Sequence, residues 1–320
     1  MGDMRDLSTL RMHFLSSHPD DAAGQTPPFD SARSGKEPAV LLHGWPQTSS
    51  CWRELMPLLT ADRRVIAPDL RGYGLTGKPT RGYDKRQMAA DVIELLDALE
   101  IERVHLVGHD RGGRVAHRLA LDAPHRVSTL TVLDIAPTHA MFSADMQAAD
   151  GYFHWLFHMQ PDLPELLTAG REAEYLRYFF QRWTFRRDLL APKIPEYIEA
   201  FTQPGAMRSG FDDYRASWQD IADDEEDLRA GRRLTVPTLA LWGAQGLASG
   251  LDILDLWRPY ITEADRAEAE AASAEPDRGQ RGAAPRLLRG RAVESCGHFI
   301  PEEQPDLLAD ELKSFWETAH

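Results

Sequence analysis

The sequence predicts an α/β fold in which a mostly parallel, doubly wound sheet carries an inserted helical cap. Short apolar, β-branched runs alternate with helix-like segments through residues 1–140 and again through residues 236–320, the pattern of βα units around a parallel sheet. Between them, residues 141–235 change character: aromatics are frequent, β-branched alternation is scarce, and helix-like stretches such as Glu172 to Phe185 take over. A length of 320 residues exceeds the usual single domain, which a core interrupted by an insertion explains. No internal repeat is visible.

Residues 17–37, rich in Ser, Asp, Pro and Gly, read as a surface excursion between early strands. Pro38 to Leu42 is a strand that runs into the Gly/Pro turn His43-Gly44-Trp45-Pro46-Gln47. Arg63 to Leu70 is another strand, and Gln87 to Glu100 an amphipathic helix. The apolar run Val104 to Val107 leads into Gly108-His109-Asp110-Arg111-Gly112-Gly113 and then the helix-like Arg114 to Leu121. Val127 to Leu133 reads as the next buried strand, with Asp134 just past its carboxyl end. Strands resume at Val236-Pro237-Thr238-Leu239. Residues 263–286, biased toward Ala, Glu, Arg and Gly, lack apolar periodicity and read as an exposed loop outside the chemistry. The last strand, Leu287 to Glu294, precedes Cys296-Gly297-His298-Phe299-Ile300-Pro301 and a helix opening Pro301-Glu302-Glu303.

Strand, glycine-rich turn and helix around residue 110 form the layout of a nucleophile elbow, which exposes one side chain over the end of a parallel sheet. Here that side chain is Asp110. A serine would lead to acyl chemistry. A carboxylate instead attacks saturated carbon and leaves an alkyl-enzyme ester that water must cleave, which narrows the reaction to displacement of a halide or opening of an epoxide. The plain alternative is a Gly-Asp-Gly turn with a solvated aspartate. It loses ground because partners follow in order: Asp134 can orient a histidine, and His298 stands after the last strand as the base. Leu239 to Gly246 offers no competing carboxylate before Asp252. The backbone N–H groups of Trp45 and Arg111 are the expected oxyanion donors, each worth about 2.7–4 kcal/mol of barrier. His43 and His109 sit at strand ends without a suitably spaced carboxylate and are assigned structural roles.

With these segments in place, the chain resembles the α/β-hydrolases of the aspartate-nucleophile branch, and within them the fluoroacetate (haloacetate) dehalogenases. The matching stretches are HGWPQTSSCW (43–52), PDLRGYGLTGKP (68–79), GHDRGGRVAHRLALDAP (108–124), LDIAPTHAM (133–141), YFHWLFHMQP (152–161) and SCGHFIPEEQP (295–305). In that family arginine follows the nucleophile, where epoxide hydrolases commonly place tryptophan. The reason is physical: a haloacetate brings its own carboxylate beside Asp110, a repulsion that fixed cations must offset. Arg111 and Arg114, three apart on the first turn of a helix, share a face and suit bidentate grip of a carboxylate, aided by the helix dipole. Arg118, a turn further on, reads as a structural ion-pair partner.

The resemblance assigns His154 and Trp155 to the departing halide through their ring N–H groups. The family's third halide donor is a tyrosine after Asp-Tyr-Arg-Ala. In this chain Asp213-Tyr214-Arg215-Ala216 is followed by Ser217-Trp218-Gln219, so Trp218 is the expected substitute, and defluorination is the activity most exposed to that change. Trp183 and Tyr214 are expected to line the pocket. The implied substrate is a small anionic 2-haloacid and the product a 2-hydroxy acid, with no metal or organic cofactor. An epoxide hydrolase would use the same Asp110, His298 and Asp134 with cap phenols drawn from Tyr152, Tyr175, Tyr178 and Tyr214. A binding protein of the same fold would typically lack part of the triad.

Two cysteines, Cys51 and Cys296, make no disulfide framework or metal spacing. The start MGDMRDLSTL lacks the apolar core of a signal peptide and no run reaches transmembrane length, so a cytoplasmic location without membrane association is expected. A formal charge of −14, from 50 acidic against 36 basic residues, argues against nucleic acid and repels an anionic substrate at long range. Capture then rests on local arginines. A homodimer is common in such families, although no residue pattern here specifies one.

Overall fold

Eight strands form one sheet in the computed structural model, which describes residues 2–18, 36–61, 63–143, 152–262 and 287–319. They are β1 (Gly2–Asp6), β2 (Arg11–Ser16), β3 (Ala39–Leu42), β4 (Val65–Pro68), β5 (Val104–His109), β6 (Val127–Leu133), β7 (Thr238–Gly243) and β8 (Leu288–Val293). Their order across the sheet is β1-β2-β4-β3-β5-β6-β7-β8. The pairs β1/β2 and β2/β4 are antiparallel, and every pair from β4 to β8 is parallel. The expected loop 263–286 lies outside the described residues, as does nearly all of the expected excursion 17–37.

Each residue of β3, β4, β5 and β6 is buried. Strands covered on both faces have no solvent side to alternate toward, so they read as continuous apolar runs. The helix Lys85–Ala98 begins two residues before the hydrophobic pattern suggests, because the Asp84 side chain accepts the Gln87 N–H and caps it. Between β6 and β7 the chain forms short helices, among them Phe153–His158, Leu163–Thr168, Glu172–Trp183, Ile194–Phe201, Ala206–Arg215 and Ser217–Arg229.

Buried ion pairs latch this helical insertion to the core. Arg118 on the helix Arg111–Asp122 meets Asp227 and Asp224, at 2.5 and 3.2 Å. Lys85 is bonded to Asp213, and its backbone N–H donates to Asp220 at 2.8 Å. Arg118 is thus a structural ion-pair residue. Removing one partner of such a pair strands a buried charge and costs about 3–5 kcal/mol. Among the described residues no helix is long and apolar enough to cross a membrane. Cys51 and Cys296 are free and buried.

The elbow depends on glycines where backbones nearly touch. A Cβ on Gly112 would lie 2.3 Å from the His43 carbonyl oxygen and 2.4 Å from that of Leu42, and one on Gly108 would lie 2.5 Å from the Gly112 oxygen. Both clashes are with backbone, which cannot swing aside. We therefore expect Gly112→Ala to destabilise the fold by at least the upper end of the ~1–3 kcal/mol typical of overpacking. Thermal unfolding checks this; an unchanged midpoint would contradict it.

Candidate active site

Asp110 occupies the turn between β5 and the helix Arg111–Asp122, with φ 47° and ψ −119°. Positive φ is costly for a residue with a Cβ and persists where the surroundings impose it. Here the Asp110 carbonyl accepts the N–H groups of Gly113 and Arg114, at 3.0 and 3.2 Å, and its own N–H donates to the Leu133 carbonyl. The result holds the carboxylate over the carboxyl ends of β5 and β6, the usual place for a site in an open parallel sheet.

The Trp45 N–H donates to Asp110 Oδ2 at 2.9 Å. Gly44 permits that approach, since a Cβ there would lie 2.4 Å from Asp110 Cβ. One carboxylate oxygen is therefore anchored by a backbone N–H. Arg111 opens the helix behind Asp110, which puts its backbone N–H in the first helical turn, where N–H groups lack intrahelical acceptors. His43 and His109 have structural partners. His43 Nε2 accepts from the Leu70 N–H at 3.0 Å, and His109 Nε2 donates to the His298 carbonyl at 2.9 Å. Burial, reinforced by His298, pushes the His109 pKa down to about 3, so it stays neutral.

Asp134, also at positive φ (53°), accepts from His298 Nδ1 at 2.5 Å and, through its other oxygen, from the Gly243 N–H at 2.9 Å. A carboxylate only accepts, so the Nδ1 proton is fixed and Nε2 keeps its lone pair. That Nε2 is buried without a hydrogen-bond partner among the described residues. Burial lowers the pKa of His298, but the hydrogen bond and charge of Asp134, with smaller contributions from Asp110 and Glu303, more than reverse this and leave it raised. Burial would raise Asp110, yet His298, Arg111 and Arg114 outweigh it and keep the carboxylate ionised.

The arginine pair is more committed than its spacing suggests. Arg111 gives Nε and Nη2 to Asp213 Oδ1, at 3.1 and 2.8 Å, and Nη2 also donates to the Asp213 carbonyl at 2.7 Å; Tyr73 and Lys85 bind the same carboxylate. Arg114 gives Nη1 to the Ala136 carbonyl and to Thr138 Oγ1, at 2.7 and 3.2 Å. Among the described residues, Arg111 Nη1 and Arg114 Nε nevertheless remain buried without a partner. Burial and the neighbouring Arg111 push the Arg114 pKa down to about 10, which leaves it charged at neutral pH.

Above the carboxylate stands an aromatic cage. His154 stacks on Trp45 (6.1 Å between ring centroids) and meets Trp183 at 4.8 Å and Tyr214 at 5.6 Å; Trp183 faces His298 at 5.3 Å. His154, Trp183 and Tyr214 are thereby brought together. The two tryptophans expected at the halide are not placed as expected. The Trp155 indole N–H donates to Ser217 Oγ at 2.9 Å, and its ring packs under the Arg114 guanidinium, 4.4 Å away. Trp218, expected as the substitute donor, is 62% exposed and points away from the cage. The helix starts at Ser217, so Ser217 faces inward and Trp218 is turned by about 100° to the outside. Of the candidate phenols, Tyr175 is bonded to His158 at 2.6 Å and Tyr178 is largely exposed, whereas Tyr152 and Tyr214 face the site. Asp213 and Glu303 escape a sequence reading; Asp-Tyr-Arg-Ala and Pro-Glu-Glu are visible as strings, but Asp213 meets Arg111 and Tyr73, 102 and 140 residues away, and Glu303 reaches Phe185 and Arg186, 118 and 117 residues away.

A family model described as alpha/beta hydrolase fold matches residues 38–271. The soluble epoxide hydrolase of Corynebacterium sp. (strain C12) is 35% identical over 286 residues, which cover 87% of this chain and 90% of that protein. The fluoroacetate dehalogenase of Burkholderia sp. is 40% identical over 239 residues, covering 71% of this chain and 78% of that protein. Among solved structures, Cfl2 from Burkholderia cenocepacia matches with a TM-score of 0.80 and 31% identity over 98% of this chain and 95% of its own.

A neutral imidazole is required to deprotonate water. Since the His298 pKa lies above its ordinary value near 6.5, activity is expected to be full above that raised value and to fall as pH drops through it. Asp134→Asn removes the hydrogen-bonded charge that raises it, so the acid limb should move to lower pH while kcat falls on the order of 10⁴-fold. A pH–rate profile of both proteins checks this; an acid limb that stays in place would contradict it.

Proposed function

The chain belongs to the α/β-hydrolase family, and from that premise we propose that this hydrolase cleaves the carbon-halogen bond of a small 2-haloacid. The observation that carries the reading is the pair of buried, unpartnered guanidinium donors, Arg111 Nη1 and Arg114 Nε, beside a nucleophilic carboxylate. An unsatisfied buried donor on a charged group costs free energy that a carboxylate ligand would recover. A neutral substrate would leave it uncompensated.

In the first step Asp110 Oδ1 attacks the α-carbon from the side opposite the halogen; the carbon-halogen bond breaks and halide leaves with its electron pair. His154 and Trp183 are the cage residues next to the leaving group. In the second step His298 Nε2 takes a proton from water, hydroxide adds to the Asp110 carbonyl carbon, and the oxyanion on Oδ2 is held by the N–H groups of Trp45 and Arg111. Collapse breaks the bond from that carbon to the alkyl oxygen, which takes the proton back and leaves as a 2-hydroxy acid. Asp110, now carrying the oxygen of the water, is left as the acid and loses its proton to solvent, which regenerates the carboxylate.

A second reading, epoxide hydrolysis through the same ester, is favoured by the cage phenols. Burial, and then repulsion from Asp110, raises the Tyr214 pKa well above its ordinary value; burial, then Asp134, raises that of Tyr152. Both are neutral proton donors that could protonate an opening epoxide oxygen.

Halide release from chloroacetate, bromoacetate and fluoroacetate separates the readings. We expect chloride and bromide release abolished by Asp110→Asn, with fluoride much slower because the Trp155 N–H is committed to Ser217 and Trp218 points outward. Arg114→Ala should lower kcat/KM by about 10- to 100-fold, the equivalent of losing a charge-assisted hydrogen bond. Diol formation from small epoxides with no halide release, and dependence on the Tyr214 hydroxyl, would overturn the dehalogenase reading.

A further inference from the structure

We infer that Glu303 is a positioning residue for the base: its buried carboxylate joins the loop carrying His298 to the cap segment after Trp183 and so sets the histidine over Asp110. The inference rests on the assignment of His298 as the base of ester hydrolysis, and not on which leaving group precedes it.

Glu303 is fully buried and carries no basic partner on its carboxylate; four backbone N–H groups supply its hydrogen bonds among the described residues. Oε2 accepts from Gly297 at 3.0 Å, Phe185 at 2.9 Å and Arg186 at 2.8 Å. Oε1 accepts from Phe299 at 3.1 Å. Two of these donors flank His298 and two belong to the turn that ends the cap helix Glu172–Trp183. His298 contributes a fifth tie across the same junction, since its own N–H donates to the Trp183 carbonyl at 2.8 Å. The junction is tight: a Cβ on Gly297 would lie 2.3 Å from the Trp183 oxygen and 2.6 Å from the Phe185 nitrogen.

Only a carboxylate of this length meets the demand. It offers about four acceptor sites and no hydrogen, so converging N–H donors are all satisfied. A glutamine would turn an NH₂ group toward one of those sets, and an aspartate would fall one methylene short of it. Trp183 also faces the His298 ring and packs on His154, so a shift at this junction moves base and cage together. A misplacement of about 1 Å can cost on the order of 10²-fold in rate.

The first displacement needs Asp110 and the cage, whereas hydrolysis also needs His298 aimed at water. Loss of the junction should therefore slow the second step selectively. The test uses the full chain carrying Glu303→Gln, with chloroacetate, the wild type and His298→Ala alongside. Measured quantities are the burst of chloride, steady-state kcat and KM, the mass of the Asp110 peptide, and the unfolding midpoint. The expected result for Glu303→Gln is a retained burst, kcat lowered about 10- to 100-fold with a parallel fall in KM, and ester accumulating on Asp110. Unchanged kcat and no ester, with only a lower midpoint, would overturn the inference and make Glu303 a structural clip. If Glu303→Gln does not fold, Glu303→Asp carries the same test, with a smaller accumulation of ester expected. Where the wild type releases chloride, absence of ester in His298→Ala as well would overturn the premise about the base, and the inference with it; where it releases none, the same variants are compared with a small epoxide, whose ester on Asp110 reads the same step.

Discussion

Everything at this site follows from one electrostatic constraint: a carboxylate must be presented in a largely dry pocket and still be ionised. Burial works against it, and an isolated anion would take up a proton instead. Here the Trp45 N–H, the imidazole of His298 and two guanidinium groups converge on Asp110, and together they outweigh the loss of water. The backbone does its share by holding residue 110 at positive φ, so the side chain stands out from the sheet edge instead of folding back along the helix. Asp134, likewise at positive φ, repeats the device one strand over. Two residues at positive φ on neighbouring strand ends thus fix the two carboxylates, and the His298 loop closes the set.

The same constraint explains the second layer. Arg111 cannot be a free cation in the interior, so Asp213 holds two of its nitrogens while Lys85 and Tyr73 share that carboxylate. One guanidinium nitrogen is left for the pocket. The pocket charge is therefore set as much by a helix 100 residues away as by the residue after the nucleophile. Because those aspartates lie on cap helices, charge compensation and cap docking are one arrangement: seating Ala206–Arg215 and Ser217–Arg229 on the core completes the electrostatics of the site.

Much of the core was legible in the sequence because parallel strands buried on both faces leave continuous apolar runs, and because glycines mark where β5 and its helix nearly touch. The elbow, Asp134 and His298 could be ordered from those signals alone. What the sequence could not convey is helix phase and long-range pairing. Ser217-Trp218 reads naturally as an aromatic near the halide, yet the helix begins at Ser217 and turns Trp218 to solvent, while Ser217 takes the Trp155 N–H. Arg111 and Arg114 read as an open pair because Asp213 is distant in sequence. Glu303 reads as one of two acids in a first helical turn, and only the folded chain brings Gly297, Phe299, Phe185 and Arg186 to it.

The most direct test of the central claim is whether Asp110 becomes covalently bonded to substrate. Mass spectrometry of His298→Asn after incubation with bromoacetate should find a carboxymethyl increment confined to the peptide containing Asp110 and removable by mild base, as an ester is. An unmodified Asp110 peptide in a variant whose substrate is nevertheless turned over would contradict the account, since the product would then form without the carboxylate as nucleophile.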